Sequence, residues 1–89
     1  MEEDKKEIEI GQITHYFNKI SVAVIELTKG DLSLGETIHI KGHTTDFSQT
    51  VDSMQIEHQN VEKAVKGESV GLKVKEPVRE GDIVYKIIE

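Results

Sequence analysis

Strict alternation of apolar and polar residues in Thr37-Ile38-His39-Ile40-Lys41, and again in Val70-Gly71-Leu72-Lys73-Val74-Lys75, most constrains what this chain can fold into. A period of two puts one set of side chains on each face of a strand, so Ile38, Ile40, Val70, Leu72 and Val74 point to a core and their neighbours to solvent. No stretch carries a 3.6-residue apolar period long enough for a principal helix. The apolar residues are mostly Ile, Val and Leu, there is no Trp, and Tyr16, Phe17, Phe47 and Tyr85 are the only Tyr and Phe residues. Such enrichment in β-branched side chains favours strands.

Further strands follow from the same pattern. Ile8, Ile10 and Ile13 mark the first, and their change of parity across Gly11 predicts a bulge. Residues 20–27 form a second strand in which Ile20, Val22 and Val24 give way to Ile25 and Leu27 on the other parity, as at a bend. Ser48 to His58 reads as one long bent strand, and Ile83, Tyr85 and Ile87 close the sheet. Turns are expected at Lys29-Gly30-Asp31 and from Pro77 to Asp82. Residues 60–67 carry the one helical signature: Asn60 as cap, Val61, Ala64 and Val65 on one face, and Gly67 at the exit. The expected organisation is a patternless, disordered acidic terminus over residues 1–6 and one β-domain over residues 7–89. Six main strands with several bends predict an all-β fold, a closed or nearly closed six-stranded antiparallel Greek-key barrel with one short helical turn.

Composition narrows the chemistry. The 89 residues contain no Cys, which excludes disulfides, thiolate nucleophiles and Cys-based zinc sites. No apolar run approaches the roughly 20 residues needed to cross a bilayer, and the acidic start is unlike a signal peptide, so a cytoplasmic location and no membrane partner are expected. A net charge of −6 argues against a duplex-DNA binder. Of the four His, His39 and His43 are closest in sequence, but an i,i+4 pair on an extended strand is separated by about 13 Å, so no metal site and no cofactor are expected. No Gly-x-Ser-x-Gly elbow, carboxylate pair or phosphate-binding Gly-x-x-x-x-Gly-Lys loop is present, and no catalytic residue is assigned. The candidate binding residues are outward: His39 and Lys41 on one strand and Lys73 and Lys75 on another as phosphate-facing charges, with Tyr16, Phe17 and Phe47 available to stack on bases.

Leu34-Gly35-Glu36-Thr37-Ile38-His39-Ile40-Lys41-Gly42, Ala64-x-x-Gly67-x-x-Val70-Gly71-Leu72 and the closing Arg79-Glu80-Gly81-Asp82-Ile83-Val84 resemble the second, β-barrel domain of elongation factor Tu and its relatives. The resemblance spans approximately residues 8–88. It implies a free-standing translation elongation factor-like module without a GTPase domain, not an enzyme, with the ribosome, rRNA or tRNA as partner. A similar barrel also follows some peptidase catalytic regions. The alternative expectation is therefore a protein-interaction or scaffold barrel for a separately encoded enzyme such as a peptidase or GTPase, a partner carrying the catalytic or GTPase domain, marked by an exposed apolar patch around Tyr16, Phe17 and Phe47 in place of a basic stripe.

Overall fold

A computed structural model describes residues 6–88. Ten strands are present and no helix among the described residues: β1 (Lys6–Phe17), β2 (Val22–Leu27), β3 (Leu32–Ser33), β4 (Thr37–Lys41), β5 (Asp46–Thr50), β6 (Met54–Ile56), β7 (Gln59–Val61), β8 (Lys63–Ala64), β9 (Ser69–Lys73) and β10 (Ile83–Ile88). Eight of them form one sheet in the order β5-β4-β10-β1-β2-β9-β6-β7, while β3 and β8 pair separately. Every strand pair is antiparallel. Laid flat, eight strands would span about 34 Å at their usual spacing. Instead Phe47 of β5, Val84 of β10, Ile25 of β2 and Met54 of β6 share a single buried cluster, so the sheet curls around its own apolar face.

Strand pairing does not close this curl, so the all-β class holds, but the expected closed or nearly closed six-stranded Greek-key barrel is replaced by one large antiparallel sheet of eight strands. The seam is bridged sparsely. Leu34 N–H, ahead of β4, donates to Glu62 O, between β7 and β8, at 3.0 Å, whereas the 2.9 Å bonds of Gly35 N–H to Val51 O and of Val51 N–H to Glu36 O only extend the β4–β5 ladder. Between β5 and the segment after β9, a side chain replaces the missing strand bonds. Gln49 Nε2 donates to Lys73 O at 2.8 Å and its Oε1 accepts from Lys75 N–H at 2.9 Å. Gln49→Ala removes both bonds, and at a net worth of about 0.5–1.5 kcal/mol each it should cost about 1–3 kcal/mol in urea unfolding. An unchanged urea midpoint would mean that the seam is held elsewhere.

Parity places the core largely where alternation put it. Ile38, Ile40, Val70, Leu72 and Val74 are buried, and Gly11 sits at a register shift of β1 against β10. Four local expectations are corrected. In β2 the buried set is Ala23, Ile25 and Leu27, with no bend; the irregularity lies in its partner, where β1 shifts register between Ile13 and His15. Ile20 precedes β2 and is exposed. Residues 48–58 are two strands, β5 and β6, and a tight hairpin joins β6 to β7 through Glu57 and His58, both at positive φ (51° and 67°). Residues 60–67 are strand and turn, because Val61 pairs with Met54 and Ala64 with Leu32, and those tertiary pairings outweigh a two-turn helix. In β10, Val84 faces the core, while Ile83 and Tyr85 lie on the outer face. Of the terminus expected over residues 1–6, residues 1–5 lie outside the described residues and Lys6 opens β1.

Candidate interaction site

The β1–β2 hairpin ends in the loop Asn18-Lys19-Ile20-Ser21, closed by the pairing of Phe17 with Val22. Ser21 adopts φ 57°, a left-handed conformation that short hairpin connections use to match strand twist. Its carbonyl accepts a hydrogen bond from Val74 N–H at 2.9 Å, which ties the tip to the chain leaving β9. On this braced tip Phe17 is 46% exposed and Ile20 56% exposed, although both are large and apolar. The ring of His15 lies 4.3 Å from that of Phe17, tilted by 59°, and His15 Nδ1 stands 3.5 Å from Glu80 Oε2. Two shallow grooves flank the tip. One of about 350 Å³ runs along residues 15–20. The other, about 480 Å³, is lined by Tyr16, Asn18, Ser21, Lys75, Glu76 and Pro77 among others.

Of the candidate residues, Tyr16 and Phe17 belong to this tip, with Tyr16 partly buried against the core. Phe47 does not. It is 8% exposed and packs inside, opposite Ile40, so it has no face for a base. His39 and Lys41 on β4 are separated from Lys73 on β9 by β10, β1 and β2 along the sheet, and by β5 across the seam. These positive residues therefore form no continuous stripe. Acids also sit among them: Asp46 is in register with Lys41, and Asp52 joins Lys73 and Lys75 around a third groove of about 450 Å³.

His39 is not an open surface ligand. Its side chain is 14% exposed, Nδ1 lies 2.7 Å from Glu7 Oε2, and Nε2 lies 2.5 Å from Asp46 Oδ1. Two carboxylates can be satisfied together only if both ring nitrogens carry protons. The bond to Asp46 is the largest influence and raises the His39 pKa above its ordinary 6.5, with Glu7 adding to it against partial desolvation. Among the described residues, no group of three or more His, Asp or Glu side chains is arranged to hold a metal ion.

A second charged cluster was not legible in the sequence, because it joins residues 55 apart. Lys86 extends from the core-facing side of β10 and donates to Asp31 O at 3.1 Å and Asp31 Oδ1 at 3.2 Å, with Glu36 Oε2 at 3.6 Å. The Lys86 ammonium, first by its hydrogen bond and then by its charge, holds the Asp31 carboxyl below its ordinary 3.8. The stability this contributes is present above the ordinary carboxylate value and is lost only as pH falls through the lower folded-state value. Lys86→Met should return the Asp31 titration to the ordinary range in carboxyl-carbon NMR; an unaltered Asp31 titration would contradict the assigned cause.

No family model matches the chain. It is 51% identical over 85 residues, 94% of its length, to an uncharacterized protease of Methanocaldococcus jannaschii, of which the match spans 21%. A collagenase of Porphyromonas gingivalis is 39% identical over 83 residues, covering 92% of this chain and 20% of the collagenase. The chain thus spans about a fifth of the length of the curated relatives it matches. Among solved structures, the C-terminal domain of a Geobacillus thermoleovorans protein designated a U32 peptidase superposes with a TM-score of 0.81 at 19% identity, covering 90% of this chain and 91% of that one. At that identity the likeness is one of fold. These findings overturn the expected kinship with elongation factor Tu barrels, and with it the translation and RNA-binding module: the relatives that match are proteases and collagenases. Partnership with the ribosome, rRNA or tRNA is left without support. No helix among the described residues is long and apolar enough to cross a membrane.

Proposed function

We propose that the chain, read as one domain over residues 7–89, is a non-catalytic docking domain of a peptidase that seats the catalytic region against the β1–β2 tip. The observation that carries this proposal is the 51% identity of nearly the whole chain to one fifth of a protease. Four fifths of that relative's length lies outside the match, and a catalytic region there is the occupant to which the proposal commits. Phe17 and Ile20 supply an apolar centre on a tip braced by Ser21 and Val74, the arrangement expected of an interface anchor surrounded by polar groups. Tyr16 and Lys75 line the adjoining groove, and Lys75 with Lys73 beyond it would pair with acids on the catalytic region. His39 and Lys41 lie on other strands and take no part in this contact.

The name of the Porphyromonas relative makes collagen a candidate substrate of the assembled enzyme. The purified chain alone should release no peptides from gelatin, since the proposal puts the catalytic region in the four fifths of the relative that lie outside the match. Gelatin hydrolysis by the chain alone, retained through size-exclusion chromatography, would contradict a non-catalytic role.

A further inference from the structure

We infer that His39 is a proton-dependent staple that fastens the edge strand β5 and the first residues of β1 to the middle of the sheet, and that losing its second proton releases one of them. The two fastened segments are the ones that need it. Strand β5 pairs within the sheet only with β4, and residues 6–9 of β1 pair only with β10, since the pairing with β2 begins at Gly11. His39 reaches both across the outer face, with Glu7 on one side at 2.7 Å and Asp46 on the other at 2.5 Å.

The groups facing His39 come from four strands. Glu7 and Glu9 stand on β1, and Glu9 is in register with Tyr85 and 3.5 Å from Lys29. From β10, the ring of Tyr85 lies 6.2 Å from the imidazole. Strand β5 presents Asp46 and, directly opposite His39, Ser48. On β4 itself Lys41 acts on Asp46 rather than on His39. An imidazolium donates to both carboxylates. A neutral imidazole has one N–H and one lone pair, so one carboxylate would face a lone pair at hydrogen-bond distance and must move away. Because the folded-state pKa is raised, the staple is fully present below the ordinary imidazole value and is lost as pH rises through the higher folded value. Release therefore belongs to neutral and alkaline pH, not to acid.

The test is an NMR titration of the full chain from about pH 5 to about pH 9, spanning the range in which imidazoles ionise, with amide exchange followed at the same pH values and corrected for intrinsic rates. His39 should titrate above 6.5, and protection at residues 6–9 and 46–50 should fall relative to Val70–Leu72 as it does, by about tenfold for each unit by which the pKa is raised. Asp46→Asn and Glu7→Gln leave the imidazole and the core in place; each should lower the His39 pKa and flatten the pH dependence of protection. They carry the test even if His39→Gln fails to fold. Titration of His39 at or below 6.5, or unchanged protection of β5 through the His39 titration, would overturn the inference.

Discussion

Gly11→Ala is expected to destabilise the domain by about 3 kcal/mol or more, at the upper end of what overpacking costs. Gly11 stands at the bulge of β1, where the strand bends between its two neighbours, and a Cβ there would collide with the backbone carbonyl of Glu26 and press on Cα of Leu27. Neither atom can turn aside, because both belong to β2 and are fixed by its pairing on either side. A domain of this size has a total stability of only about 5–13 kcal/mol, and a loss of 3 kcal/mol corresponds to about 12–24 °C in thermal midpoint. Gly35→Ala is the matched control: its φ is +89°, but a Cβ there meets nothing within 4 Å. It should cost only the left-handed backbone penalty of about 1–2 kcal/mol. If thermal unfolding gave both substitutions the same loss, close packing of β1 on β2 would not be what fixes Gly11.

Phe17→Asp and Ile20→Asp should do the reverse, sparing the fold and abolishing its proposed contact. Both side chains are exposed and leave no cavity when replaced, so the thermal midpoint should stay within a few degrees of the unsubstituted chain, as surface substitutions usually do. At the centre of an interface each would place a charge where an apolar anchor is desolvated. Loss of such an anchor costs about 2 kcal/mol or more, which is about thirtyfold in affinity. Lys41→Ala, on a different strand, should leave that affinity unchanged. Equal weakening by Lys41→Ala and Phe17→Asp in calorimetric titrations would place the contact elsewhere on the domain.

The sheet was legible in the sequence where alternation is strict, because a period of two fixes the face of each residue: Ile38 and Ile40, then Val70, Leu72 and Val74, all lie in the core. It was illegible where local and long-range preferences compete. Asn60 to Gly67 has helical capping and spacing, yet Val61 and Ala64 pair with Met54 and Leu32. The turn at Glu57-His58 carries none of the Gly or Asn that usually announces two positive φ angles in succession. Of the site, Tyr16 and Phe17 are legible as candidates, whereas apolar alternation puts Ile20 in a strand and the polar loop before it puts Phe47 at the surface. Exposure depends on which strands adjoin, and no single-strand pattern contains that. The same holds for His39. Its outward parity was readable, whereas Glu7 and Asp46, 32 and 7 residues away, become its partners only when β1 and β5 are brought to either side of β4 and β10.

The proposed role of the chain as the docking domain of a peptidase is tested most directly by calorimetric titration of the purified chain into the Methanocaldococcus protease lacking the fifth that matches it. Saturable binding at one site, weakened about thirtyfold or more by Phe17→Asp, is the predicted result. No binding by a folded chain, or binding that Phe17→Asp and Ile20→Asp leave unchanged, would contradict it.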